Sequence, residues 1–313
     1  VSGITLSHRL QYLALLFLAG LLNLLPPGAA LGAGSLLGRI CWSVLGIRRD
    51  VSRMNIRQAF PDMPSREVDR VGRDSYRNAG RAMVEFARQP GMDRSYARKY
   101  VAVEETPALK SFRDCPTGAL VISFHFGNWE YCGIMSGFLK QGTAFLVGRQ
   151  RNPLVDGYIN RLRGAHGNRL LSRDAAMRGI VEIARNGGAA CWLSDQDAGR
   201  SGLVVPFFGY PASTPRGAAA FSVKLGIPVC CSFMVRTRGP RQKYIMKAVL
   251  YPRTDLSRDD AELDITRRYT EVLEEAVREN PDHYWWPHRR WKTTGFYRKN
   301  RPEPEAPAEG GSG

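Results

Sequence analysis

The stretch Ala119-Leu120-Val121-Ile122-Ser123-Phe124, running directly into His125-Phe126-Gly127-Asn128-Trp129-Glu130, decides what kind of fold this chain makes. The first six residues are apolar apart from Ser123, partly β-branched and preceded by Pro116-Thr117-Gly118. They read as a buried strand with His125 at its carboxyl end. Catalytic groups collect at that edge of α/β sheets. Asn128 is placed to cap a helix that begins near Trp129 and carries Tyr131, Ile134, Met135 and Phe138, which leaves Glu130 in the first turn. A strand end, a tight Gly-Asn turn and a helix start can fold His125 and Glu130 together although five positions separate them. In that geometry His125 removes a proton from a hydroxyl, while Glu130 holds the ring in one tautomer and stabilises its charged form, as the acid of a hydrolytic triad does. A loop histidine beside a solvated glutamate fits the spacing equally well.

Outward from this stretch the chain alternates. Strands are expected at Ala119 to Phe124, Thr143 to Gly148, Ala189 to Ser194, Leu203 to Phe208, Val229 to Val235 and Tyr244 to Tyr251. Helices are expected at Trp129 to Lys140, Pro153 to Arg163, Asp174 to Asn186, Pro215 to Leu225 and Ser257 to Asn280. Upstream, Arg53 to Phe60 and Ser65 to Gln89 read as helices, the second turning Val68, Val71, Ala79, Met83 and Phe86 to a core at helical spacing. The fold class is therefore α/β: a mixed central sheet flanked by helices on both faces, with an N-terminal membrane-anchoring helix.

The anchor rests on Leu10 to Leu25, a run of 16 residues without charge that ends at Pro26-Pro27. As helix it spans about 24 Å, short of the ~30 Å hydrocarbon core of a bilayer. A weakly polar stretch from Gly28 to Leu37 follows, stopped by Arg39. A cleaved signal peptide is the alternative, because Ala29-Ala30-Leu31-Gly32-Ala33 offers small residues at a cleavage position. Arg39, Arg48, Arg49, Arg53 and Arg57 follow the apolar region, whereas only His8 and Arg9 precede it; the positive-inside rule then keeps the main domain in the cytoplasm. The expected division is an anchor and amphipathic region over 1–45, a catalytic domain over 46–300, and a disordered or appended tail over 301–313.

Lys and Arg total 45 against 29 acidic residues, a net charge of +16 in 313 residues, so anionic partners are expected. The basic residues are scattered and form no nucleic-acid module, which sets nucleic acid aside as a partner. The six cysteines show no metal-ligand spacing and read as reduced; no metal and no cofactor is expected. A hydrolase could use the same His-Glu pair, but the chain holds no G-x-S-x-G nucleophile elbow.

The His125 to Glu130 block does not stand alone. Taken with Arg53-x-Asn55-Ile56-x-x-Ala59-Phe60-Pro61, Asn152-Pro153, Asp195-Gln196-Asp197-Ala198-Gly199, Pro206-Phe207-Phe208-Gly209, Ala212-Ser213-Thr214 and Trp286-Pro287-His288-Arg289-Arg290-Trp291-Lys292-Thr293, it resembles the bacterial lipid A biosynthesis acyltransferases of the lauroyl and myristoyl transferase type. The likeness runs in order from about Leu10 to Thr293. It implies that the H-x4-D/E motif of the family falls on His125 and Glu130. It further implies an inner-membrane enzyme facing the cytoplasm, with acyl carrier protein thioesters as donor and a lipid A precursor of the Kdo-lipid A type as acceptor. The same superfamily acylates mannosylated phosphatidylinositol, so the motif indicates the chemistry better than the acceptor. Arg149, at a strand end, is the candidate oxyanion donor; a solvated loop arginine is the alternative. Arg163, with Arg161, is a candidate phosphate clamp, with a solvated helix end as the alternative; Asp195 and Asp197, which follow a buried strand as His125 does, are candidates for positioning substrate at the same cleft edge, with a turn that caps local amides as the alternative. His283 and His288 sit among Tyr284, Trp285, Trp286 and Trp291, a mixture suited to the membrane interface or to packing under the sheet; packing is expected for the aromatics, leaving Arg289, Arg290 and Lys292 for acidic lipid or carrier protein.

Overall fold

Short apolar runs punctuated by Gly, Pro and Asn alternate with amphipathic stretches through the middle of the chain, and all of these runs but Leu203 to Phe208 become strands of one sheet. The computed structural model describes residues 4–172 and 174–299; the expected tail over 301–313 lies outside them. Among the described residues the elements are α1 (Leu6–Leu24), α2 (Pro27–Ser43), α3 (Arg49–Ala59), α4 (Ser65–Ala87), α5 (Arg94–Tyr100), β1 (Val101–Val103), α6 (Pro107–Asp114), β2 (Ala119–Ser123), α7 (Trp129–Leu139), β3 (Thr143–Val147), α8 (Pro153–Gly164), β4 (Arg169–Ser172), α9 (Ala176–Arg185), β5 (Ala189–Leu193), β6 (Leu203–Phe207), β7 (Tyr210–Thr214), α10 (Gly217–Leu225), β8 (Val229–Arg238), β9 (Arg241–Leu250), α11 (Arg258–Glu279) and α12 (Phe296–Lys299).

Seven of the described strands form one sheet in the order β1-β9-β8-β2-β5-β3-β4, and β6 and β7 form a separate two-stranded sheet. Neighbours in the larger sheet are parallel except for the β8–β9 hairpin, so that sheet is mixed, as expected. β2 lies in the middle and all five of its residues are buried. Leu120 and Ile122 face a core shared with α3, α4, α9, α10 and α11, whereas Ala119 and Val121 face a second core with α5, α6 and α7. A strand covered on both faces reads as a continuous apolar run, which is why this one was legible.

Four short elements, β1, α5, α6 and β4, are not signalled by periodicity. β7 was missed for a different reason. It pairs back onto β6 through Phe208-Gly209, both at positive φ (49° and 70°), the geometry of a two-residue hairpin turn. Phenylalanine is unfavourable there, and neighbours hold it in place: the Phe208 N–H donates to Glu274 Oε1 at 2.6 Å and its carbonyl accepts from Gln58 Nε2 at 3.1 Å. On α4, Val68, Val71 and Ala79 are buried as expected, but Met83 is exposed, because α2 and the loop after α11 cover other faces of that helix.

Among the described residues no helix is long and apolar enough to cross a membrane. α2 instead packs closely along α4 through glycines. A Cβ on Gly38 would stand 2.1 Å from the Tyr76 carbonyl oxygen, and one on Gly80 equally close to the Gly34 oxygen. Ala30 and Leu31 are buried, so the small-residue run that suggested a cleavage site is part of a packed helix. α1 is tied to α8 through Asn152, whose side chain donates to the His8 carbonyl and to Gln11 Oε1, each at 3.0 Å.

Glu85 of α4 joins these layers. Its buried carboxylate accepts from Arg236 Nη1 at 3.0 Å, Gln242 Nε2 at 3.1 Å and Asn128 Nδ2 at 2.8 Å. Removing one partner of a buried ion pair leaves the other charge uncompensated. Glu85→Ala is therefore expected to cost about 3–5 kcal/mol, read from urea unfolding, and a loss under about 1 kcal/mol would contradict the pairing.

Candidate active site

His125 follows β2 by two residues, and Asp195 follows β5 by two. These strands are parallel neighbours with Ser123 opposite Leu193, so the two side chains emerge side by side at the carboxyl edge. Asp195 Oδ1 lies 2.8 Å from His125 Nδ1, and Asp195 Oδ2 accepts the His125 backbone N–H at 2.9 Å. With the carboxylate on Nδ1, the ring carries its proton there and leaves the Nε2 lone pair free to act as a base. The Gln196 amide nitrogen lies 3.2 Å from Nε2. That amide fills the hydrogen-bonding position on Nε2 that a hydroxyl would need in order to give up its proton to the ring.

Burial alone would lower the pKa of His125. The charge of Asp195 and the hydrogen bond to it outweigh burial, Glu130 adds its charge, and the imidazole is raised above its ordinary value. For Asp195, burial works upward, but His125, by charge and hydrogen bonds, holds the carboxyl below the usual range. Each partner stabilises the charged form of the other.

The geometry corrects one half of the expected role of Glu130: its charge does favour the protonated ring, but its carboxylate does not hold Nδ1. Asn128 does cap α7, accepting the Tyr131 N–H at 3.1 Å, and Glu130 does lie in the first turn. Its carboxylate, however, is gripped by Arg163, with Nε to Oε2 at 3.0 Å and Nη2 to Oε1 at 2.5 Å. The helix start carries the side chain away from Nδ1, toward α8, and the position left beside the ring goes to Asp195. Arg163 is corrected at the same stroke: its fork is filled by a carboxylate rather than open for phosphate.

The loop between β2 and α7 is pinned from behind. Gly127 has a φ of +57°, and a Cβ there would stand 1.8 Å from the Met234 carbonyl oxygen, so only glycine fits. The Gly127 N–H donates to the His283 carbonyl at 2.8 Å, the Trp285 N–H donates to the His125 carbonyl at 2.9 Å, and Phe126 bridges Tyr284. Tyr284, Trp286 and Trp291 are buried beneath, in the packing role expected of them. Arg290 is a correction: it is 1% exposed and donates to the Ser213 carbonyl and Thr214 Oγ1, each at 2.6 Å, because the β6–β7 hairpin folds over it. Arg289 and Lys292 remain exposed.

Asp197 accepts from the Thr293 N–H at 3.0 Å, the Thr293 hydroxyl at 2.6 Å and the Gly199 N–H at 3.2 Å, which fastens the Asp195 loop to the C-terminal block. Arg149 is exposed just beyond β3, two strands from β2, and makes no hydrogen bond or ion pair to another described residue. Gln196 and His288 had no site role in the sequence reading, although both lie in the quoted blocks. Burial lowers the His288 pKa to about 4, which keeps a neutral ring near the charges of Asp195 and His125.

Beside the pair opens a largely apolar cleft of about 440 Å³, mouth included. Trp129, Gly133, Phe145, Cys191 and Trp192 line it, with Glu130 and Arg163 among its polar residues. Among the described residues no group of His, Cys, Asp and Glu could hold a metal ion. The arrangement provides a base with a fixed tautomer and an apolar trough rimmed by the Glu130–Arg163 ion pair.

The sequence model of the family described as bacterial lipid A biosynthesis acyltransferase matches residues 4–293. Similar curated proteins include a lipid A biosynthesis palmitoleoyltransferase of Escherichia coli (strain K12), 28% identical, covering 83% of this chain and 84% of that protein. A lipid A biosynthesis lauroyltransferase of the same organism is 25% identical, covering 84% of each chain. A phosphatidylinositol mannoside acyltransferase of Mycolicibacterium smegmatis is 26% identical, covering 66% of this chain and 68% of that protein.

His125 is a base only when neutral, and its pKa is raised. The rate of any reaction it serves is therefore expected to fall as pH drops through a value above the ~6.5 of a free imidazole, seen as an acid limb in kcat/KM. An acid limb at or below about pH 6 would contradict the pairing with Asp195.

Proposed function

The chain belongs to the bacterial lipid A biosynthesis acyltransferase family, and from that premise we propose that it moves a fatty acyl group from an acyl carrier protein thioester to a hydroxyl of a Kdo-lipid A type precursor. The observation that carries this reading is the His125–Asp195 pair, whose imidazole stands 5.4 Å from the ring of Trp129, one of the residues that line the apolar cleft. His125 Nε2 takes the proton of the acceptor hydroxyl as its oxygen attacks the thioester carbonyl. The tetrahedral intermediate collapses with loss of the carrier thiolate, which receives that proton back from His125. Asp195 orients the ring and offsets its transient charge, and no covalent enzyme intermediate forms. General-base assistance of this kind contributes about 10²- to 10⁴-fold in rate. Arg149, unpartnered at the sheet edge, is the candidate donor to the oxyanion; a well-placed donor is worth about 3–4 kcal/mol. The Glu130–Arg163 pair shapes the rim of the cleft.

The acyl chain fits the trough between α7, β3 and β5, where Gly133 leaves the space in front of Phe145; a Cβ on Gly133 would stand 3.1 Å from that ring. The setting is a membrane surface, on the cytoplasmic side of the inner membrane. Leu6, Leu10, Leu13, Phe17, Leu21 and Leu24 of α1 recur every three or four residues and are all exposed, the stripe of a helix that lies against lipid. Mannosylated phosphatidylinositol is the alternative acceptor, favoured by the mycobacterial similarity.

The test supplies carrier-protein thioesters of several lengths with either acceptor. Transfer to the lipid A precursor is expected, reduced at least about 10²-fold in His125→Ala. Gly133→Val is expected to lower kcat/KM for the longest accepted chain by about tenfold or more relative to shorter ones. Full activity in His125→Ala, or equal release of free fatty acid with and without acceptor, would overturn the reading.

A further inference from the structure

α2 and α4 leave an open groove on the side away from their glycine contacts, about 870 Å³ with its mouth. Gly32, Ser35, Leu36, Arg39 and Ser43 of α2 recur at helical spacing along one wall, and Arg73 and Arg77, one turn apart, form the other. The charge there is one-sided. Arg39 makes no hydrogen bond or ion pair to another described residue. Asp74 is the carboxylate that answers the other arginines: it lies 3.0 Å from Arg77, 3.9 Å from Arg73 and 3.9 Å from Arg70, which is itself paired with Glu67. Arg77 Nε and Arg81 Nη2 both donate to the buried Ser35 hydroxyl, at 3.0 and 3.2 Å, which adds one further cation, Arg81, next to the groove. The walls are rigid, because the backbone approaches at Gly34–Gly80 and Gly38–Tyr76 allow neither helix to shift outward without losing contact or inward without collision.

One rim of the groove is apolar. Leu36, which lines it, is 57% exposed and Leu37 beside it 55%; Val44 and Leu45 just beyond α2 are exposed as well. Cations and hydroxyls in a trough beside outward-facing leucines match an amphiphile with an anionic head: phosphate oxygens accept from guanidinium and hydroxyl, and the chains continue along the leucines. An acidic carrier protein would satisfy the charges but not the leucines.

We infer that the α2–α4 groove seats the phosphate of an anionic phospholipid belonging to the bilayer itself, and so sets the depth and orientation of the enzyme on the membrane. This rests on the membrane-surface part of the reading above. The contribution is expected to be electrostatic, falling off within the ~10 Å Debye length of 0.1 M salt.

The experiment measures binding of the full chain to phosphatidylcholine vesicles with and without phosphatidylglycerol, for wild type, Arg39→Gln/Arg73→Gln, and a control of equal charge change on α9, Arg178→Gln/Arg185→Gln. The groove variant is expected to lose about tenfold or more of its affinity for anionic vesicles, becoming indifferent to phosphatidylglycerol and to salt, while the α9 control keeps wild-type binding. Transfer assayed in detergent micelles should keep its KM for both donor and acceptor, and Tm should be unchanged. Equal loss in the α9 control would overturn the site in favour of net charge alone. A raised KM for the carrier-protein thioester or for the acceptor lipid, with vesicle binding unchanged, would assign the groove to that substrate and overturn the proposal. Wild-type binding that ignores phosphatidylglycerol sinks the groove alone, whereas failure to bind any vesicle sinks the membrane reading itself.

Discussion

The register of β2 against β5 is the constraint on which the site depends. Ser123 faces Leu193, and the two strands run parallel, so residues two steps further on each strand are delivered to the same edge about one strand spacing, ~4.8 Å, apart. His125 and Asp195 occupy those positions. The pairing uses both carboxylate oxygens, one on the ring and one on the backbone N–H of the same histidine, and therefore fixes ring and loop together. A slip of one residue in this register would send both side chains to opposite faces of the sheet. Everything else around the loop serves to keep that alignment: the glycine that lets the chain pass under Met234, the backbone bonds to His283 and from Trp285, and the buried Glu85 that holds the capping Asn128.

What the sequence disclosed and what it hid divide along the range of the interactions. The apolar run of β2, the Asn128 cap and the start of α7 are local, and each was readable from neighbouring residues. The burial of Trp286 and Trp291 followed from their bulk. Asp195 was placed at the same cleft edge because it too follows a buried strand, but its direct pairing with His125, 70 residues away, depends on β2 and β5 being neighbours, which no local pattern tells. Spacing drew Glu130 to the histidine, yet α7 aims it at Arg163, a residue of α8 that no local pattern connects to it. Arg290 looked like one of three surface cations; only the folding of the β6–β7 hairpin over it makes it interior. Phe208 at positive φ conceals a hairpin turn that Asn or Gly would have announced.

The same logic separates two kinds of basic residue in a chain with a net charge of +16. Arg163, Arg236 and Arg290 are turned inward and hold architecture against carboxylates or carbonyls. Arg39 and Arg73 stay at the surface beside exposed leucines, where charge acts on what lies outside the molecule. α1 and α2 are thus an apolar and cationic platform, and the sheet edge with its base is carried on it through α4 and α8. Under the proposed function the two serve together: a base with its tautomer fixed, and a body oriented against the lipid surface.

The central claim is that Asp195, rather than Glu130, governs the imidazole of His125. Its most direct test is the NMR titration of the His125 ring in wild type, Asp195→Asn and Glu130→Gln. The account predicts a wild-type midpoint above the ~6.5 of a free imidazole, a clear fall in Asp195→Asn and a smaller one in Glu130→Gln. A larger fall in Glu130→Gln than in Asp195→Asn would contradict it.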